Sequence, residues 1–131
     1  MFTHTKAFTS FSADDIEKAK QFYGETLGLR AKSLDEMGMP LLELQLEDGH
    51  RIMIYHKPDH KPATYTVLNF PVDDIDKTAD ELIGKGVRFL QYEGELKTDE
   101  KGIFRGGGPL IAWFEDPAGN ILSILEEKER K

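Results

Sequence analysis

Hydrophobic and polar positions along the chain alternate between two rhythms, and they do so twice. Lys6 to Ala13 is a short stretch rich in aromatic and β-branched residues, which predicts a strand. Asp14 follows as a helix cap, with Glu17 three residues on in a capping-box arrangement. Ile16, Ala19, Tyr23 and Leu27 then recur at spacings of three and four, one apolar stripe of a helix that Gly28 ends. Three strand-like segments come next, at residues 29–34, 41–46 and 51–55. The second half repeats the order. It has a strand over 65–72, a cap at Asp73, the stripe Ile75, Ala79, Leu82 closing at Gly84 or Gly86, and strands over 87–92, 110–114 and 121–125. Glu47-Asp48-Gly49-His50 and Asp116-Pro117-Ala118-Gly119-Asn120 carry hairpin-turn chemistry.

The repetition extends to residue identity. Phe11-Ser12-Ala13-Asp14-Asp15-Ile16-Glu17-Lys18 recurs as Phe70-Pro71-Val72-Asp73-Asp74-Ile75-Asp76-Lys77, 59 residues on. Gly28-Leu29 is answered by Gly86-Val87, and Leu42 to Gly49 by the stretch from Leu110 through Asp116 to Gly119. Landmarks in one order at similar shifts indicate a duplicated unit. The chain reads as one domain of two βαβββ modules, residues 6–57 and 64–127, joined at Lys57-Pro58-Asp59-His60-Lys61-Pro62.

Composition narrows the class of function. A length of 131 residues suits a single compact domain, and 39% hydrophobic with 31% charged residues is globular. No apolar run has the roughly 20 residues of a membrane span, and the N-terminus lacks the basic-then-apolar build of a signal peptide. Cysteine is absent, which excludes disulfides and thiolate chemistry and suits a reducing cytoplasm. A net charge of −7 disfavours a nucleic-acid partner.

The doubled βαβββ order resembles the vicinal oxygen chelate superfamily, which includes glyoxalase I, extradiol dioxygenases, fosfomycin-resistance proteins and bleomycin-resistance proteins. Asp14-Asp15-Ile16-Glu17-Lys18-Ala19 leading through Phe22-Tyr23 to Leu27-Gly28-Leu29 is similar to the family's first helix. Phe114-Glu115-Asp116-Pro117-Ala118-Gly119-Asn120-Ile121-Leu122 resembles its Phe-x-Asp-Pro-x-Gly-Asn signature. The resemblance implies an α+β fold in which the two modules form an eight-stranded, cup-shaped mixed sheet with helices on the outer face. It also implies a small-molecule ligand in the cup and a homodimer. Family members that use a metal hold it with His, Gln or Glu, and the corresponding positions here are Phe8, Met53, Val67 and Ser123. None supplies a good ligand for a divalent ion, so the expectation is a protein with no metal and no other cofactor.

Strand alternation predicts the residues lining the cup. The first module offers Phe8, Ser10, Glu43, Gln45, Arg51, Met53 and Tyr55. The second offers Val67, Asn69, Trp113 and Ser123. Trp113 suits stacking on a planar or cationic group, and Arg51 suits an acid. Glu43 is the one candidate general base. The glycine-rich connection over 94–108 reads either as a flap presenting Phe104 and Arg105 or as a plain surface loop. Its Gly106-Gly107-Gly108 run precedes a strand, which does not suit a phosphate cradle. His4, His50, His56 and His60 read as solvated, and the tail from Glu126 to Lys131 as a fraying charge run. Two functions stay open: a metal-independent binding protein for a small organic compound, or a lyase, isomerase or dioxygenase with a rewired site.

Overall fold

The computed structural model describes residues 1–36 and 38–127. They divide into two compact units, the first ending at Lys61 and the second beginning at Pro62. No helix among the described residues is long and apolar enough to cross a membrane.

The first unit runs β1 (Thr9–Ala13), α1 (Ile16–Lys20), β2 (Arg30–Glu36), β3 (Met39–Gln45) and β4 (Arg51–His56). Its sheet has the order β1-β4-β3-β2, with β1 parallel to β4 and the other pairs antiparallel. One face carries Phe11, Ala13, Leu42, Leu44, Ile52 and Ile54, all buried, against Ile16, Ala19 and Tyr23 of the helix. The stripe read from the sequence is thus the packing face, but the helix is not uniform. After Lys20 it widens into a π-helical turn over Gln21–Thr26, where the Leu27 amide bonds the Phe22 carbonyl at 2.9 Å. The turn buries Tyr23 completely beneath Phe11, their ring centroids 6.2 Å apart.

The second unit runs β5 (Thr66–Pro71), α2 (Ile75–Gly84), β6 (Ile103–Phe104), β7 (Leu110–Glu115) and β8 (Ile121–Glu126), with sheet order β5-β8-β7-β6. Ile103, Ala112, Phe114, Leu122 and Ile124 are buried on one face, as are Ile75, Ala79 and Leu82 of α2. Each unit therefore has its sheet covered on one side by its own helix. The opposite side of each sheet is its open face.

Four expectations change. Asp15 and Asp74, rather than Asp14 and Asp73, cap the helices, accepting from the amides of Lys18 and Lys77 at 3.1 Å. The reason is packing: Ile16 and Ile75 are the first helical residues and are buried, so the residue before each must be the extended cap. The third helical residue is then a lysine, and no capping box forms. Second, residues 87–92 do not make a strand. Phe89 makes only a bridge to Phe114, and the Leu90 amide bonds the Trp113 carbonyl at 2.7 Å. The chain then leaves, turns through Gly94–Leu96 and returns as β6 beside the other end of β7. Gly102 allows the return, since a side chain there would begin 2.5 Å from the Cβ of Phe89. Third, Glu126 is no part of a fraying tail. It ends β8, and its carboxylate accepts from the Ile75 amide at the start of α2 (2.9 Å). Glu127 follows it, exposed, and residues 128–131 of that expected tail lie outside the described residues. Fourth, His60 is half-buried and shares a hydrogen bond with Ser12 (Nδ1 to Oγ, 2.5 Å) rather than being solvated. His56 is half-buried as well, while His4 and His50 are exposed.

Candidate functional site

Strand register arranges the open face of the first unit in transverse rows. Arg30, Gln45 and Arg51 are cross-strand partners and make the first row. Lys32, Glu43, Met53 and Ser10 make the second, and Leu34, Leu41, Tyr55 and Ser12 the third. The seven residues expected from the sequence in this unit thus share one face, with Phe8 placed just before β1. There the guanidinium of Arg51 lies 5.0 Å from the Phe8 ring centroid, within cation–π range.

Glu43 is the buried carboxylate at the centre of these rows. Its Oε1 accepts from Gln45 Nε2 at 2.7 Å, and its Oε2 faces Arg51 Nη1 at a long 3.4 Å. The bond from Gln45 holds its carboxyl below the usual range, against the opposing effect of burial. The charges of Arg51 and Lys32 act in the same direction as Gln45. Glu43 is therefore a carboxylate at neutral pH. Arg51 keeps most of its five donors for another partner, with its side chain 48% exposed.

The open face of the second unit has a different chemistry. Trp113 meets Tyr92 edge-on, centroids 5.3 Å apart, and Phe104 at 6.4 Å. Trp113 pairs in register with Ser123, whose hydroxyl donates to Asn69 Oδ1. Val67 is the extra residue of a bulge between Thr66 and Leu68. Phe104 is seated by Gly106, where a Cβ would fall 2.6 Å from the ring. Arg105, one residue on, turns to the other side of the sheet. It pairs there with Asp76 of α2 at 2.7 Å and with Asp99 at 2.9 Å. The structure thus brings Phe104, but not Arg105, to Trp113. Asp99 itself is raised by burial but held low overall by the Ile103 amide, Arg105 and the Lys101 amide.

Sequence reasoning missed several residues of these faces, among them Arg30, Lys32, Leu34, Leu41 and Tyr92. Arg30 and Lys32 were available from the alternation of β2. Tyr92 lies in the stretch misread as a strand, so its approach to Trp113 had no sequence signal.

The residues present do not fit a family-type metal site. Phe8 packs beneath Arg51, Met53 is a thioether beside Glu43, Val67 is in a bulge and Ser123 is bonded to Asn69. Glu43 has no second carboxylate or imidazole in its rows, and no group of three or more His, Asp or Glu side chains placed to hold an ion occurs among the described residues.

Comparison with known proteins agrees with the doubled fold. Residues 4–124 match the family model described as the glyoxalase/bleomycin resistance protein/dioxygenase superfamily. A lactoylglutathione lyase of Haemophilus influenzae is 30% identical over 134 residues, covering 94% of this chain and 93% of that protein. TnmS3, an antibiotic binding protein from Streptomyces sp. CB03234, superposes with a TM-score of 0.69 at 23% identity, covering 96% of this chain and 99% of that one. FosX, a fosfomycin resistance protein from Listeria monocytogenes, does so with a TM-score of 0.66 at 12% identity, covering 96% and 93%. At those identities the two structures speak to the fold alone. With the duplicated βαβββ units and the Asp116–Asn120 turn, the match over nearly the whole chain establishes that it belongs to the glyoxalase/bleomycin resistance protein/dioxygenase superfamily.

Proposed function

We propose that this protein binds a small organic molecule on the open faces of its sheets, without the divalent metal that many relatives use. One observation carries the reading. The four positions where the family's ligands fall hold Phe8, Met53, Val67 and Ser123, while the faces around them offer aromatic and aliphatic side chains with polar and charged groups among them, Glu43 and Arg51 included. Such surfaces suit an organic ligand. In the first unit the proposed contacts are Phe8, Ser10, Glu43, Gln45, Arg51, Met53 and Tyr55. In the second they are Val67, Asn69, Phe104, Trp113 and Ser123. A cytoplasmic setting and a homodimeric state belong to the same proposal. TnmS3, which shares this fold, is an antibiotic binding protein, so small-molecule binding is one use the fold supports.

The lactoylglutathione lyase relative favours a second reading, an enzyme with a rewired site. Glu43, the buried carboxylate of the first unit's open face, is then the base that accepts a substrate proton. Thermal-shift screening of a metabolite and antibiotic panel, with and without chelator, tests the first reading. A compound that raises the melting temperature equally in both conditions and is recovered unchanged supports it. Stabilisation that disappears with chelator contradicts it. Turnover of the bound compound that is abolished in Glu43→Gln supports the enzyme instead.

A further inference from the structure

The open face of the first unit is polarised from end to end. Arg30, Gln45 and Arg51 form its first row, and Leu34, Leu41, Tyr55 and Ser12 its third. Counting the residues of the three rows, Arg30, Lys32 and Arg51 stand against the single carboxylate of Glu43. The face is thus locally cationic in a chain whose net charge is −7. An open cleft of about 960 Å³ is lined by Arg30, Gln45 and Arg51 together with Leu29, Leu46 and the carboxylate-bearing Glu47.

We propose that this face selects an amphiphilic organic anion, its acidic group between Arg30 and Arg51 and its apolar body along the third row. The proposal rests on the ligand-binding reading above and names the class of ligand. Arg51 is held ready for the role, resting on the Phe8 ring and reaching Glu43 only at 3.4 Å. A planar guanidinium that is fixed by stacking loses little freedom when it grips an oxyanion. Arg30 is exposed, and its guanidinium makes no ion pair among the described residues. The two flank Gln45 at adjacent cross-strand positions, a span of roughly 10 Å between their backbones, which long side chains can close around one acidic group. Glu43 contributes by opposition. Its negative charge holds Gln45 at 2.7 Å and tempers the field of the arginines, so a free inorganic anion with no apolar body gains little from the face.

The test is fluorescence titration with anilinonaphthalene sulfonate and with N-phenyl-naphthylamine, which has the same rings without the sulfonate. The full-length protein is expected to bind the sulfonate saturably and about tenfold more tightly than the neutral dye. Arg30→Gln and Arg51→Gln should each weaken the sulfonate by about three- to tenfold and leave the neutral dye unchanged. Glu43→Gln should strengthen it, provided its melting curve matches the wild type. Lys18→Gln, which removes an equal charge from α1, should change neither. Equal affinity for both dyes, or equal loss in Lys18→Gln, would overturn the anion assignment and leave the ligand-binding reading standing. Binding of neither dye would overturn both.

Discussion

The two units share a backbone plan and differ in what they put on it. Both start their helix with an aspartate cap and a buried isoleucine, and both close the last hairpin with the same pair of backbone bonds. In the first, Leu46 N bonds His50 O and Gly49 N bonds Leu46 O, each at 3.0 Å. In the second, Asp116 N bonds Asn120 O at 2.9 Å and Gly119 N bonds Asp116 O at 3.0 Å. Yet the first turn is exposed, while the second is locked by Asp116, a buried carboxylate that accepts from the amides of Ala118 and Asn120 and from the Asn120 side chain. The open faces diverge further. One is charged around Glu43, and the other is aromatic around Trp113, with Asn69 and Ser123 as neutral polar groups and the exposed Glu115 at its end. Duplication explains the shared scaffold, and the face chemistry is where function can differ without disturbing the fold.

Several substitutions break or sharpen this comparison. The largest effect should come from the cores. Phe114→Ala should cost about 4 kcal/mol and Leu44→Ala about 3 kcal/mol, because each deletes a fully buried side chain at a matching position of its unit. Chemical denaturation measures both, and a cost near zero for either would mean that its unit adds nothing to the measured stability. The turns should separate more sharply. Asp116→Ala leaves buried donors unpaired and should cost roughly 3 kcal/mol, whereas Asp48→Ala removes one exposed bond to the His50 amide and should stay below about 0.5 kcal/mol. The caps should not separate at all. Asp15→Ala and Asp74→Ala should each lose about 1 kcal/mol, and an unequal pair would show that the units do not share their helix starts energetically.

Acid provides the smallest and most selective contrast. Glu43 and Asp99 both have folded-state pKa values below their ordinary 4.5 and 3.8. Each therefore stabilises the fold above its ordinary value, and that contribution is lost as pH falls through the lower folded value. The gap in urea midpoint between wild type and Glu43→Gln should close as pH is lowered from neutrality through the mid-acid range. The Asp99→Asn gap should close at lower pH. A Glu43→Gln gap that widens in acid would contradict the assigned direction.

Much of the fold was legible in the sequence because it rests on local periodicity. Alternation alone placed Glu43, Gln45, Arg51, Met53 and Tyr55 on one face, and the two stripes found the packing sides of both helices. What escaped was decided by tertiary contacts. Two adjacent aspartates offer equally good caps, and only burial of the next isoleucine chooses between them. Phe89 and Ile103 share the edge of β7 through a close approach at Gly102 that no local pattern encodes. Arg105 was expected beside Phe104, but just past β6 it turns away to pair with Asp76 of α2 and with Asp99.

We propose that this fold binds its organic ligand here without a divalent metal. Elemental analysis of protein purified without chelator, after dialysis against metal-free buffer, tests it most directly. The account predicts zinc, nickel, manganese and iron all far below one ion per chain, in protein that still binds anilinonaphthalene sulfonate. One tightly held ion per chain, lost on substitution of Glu43, would contradict it.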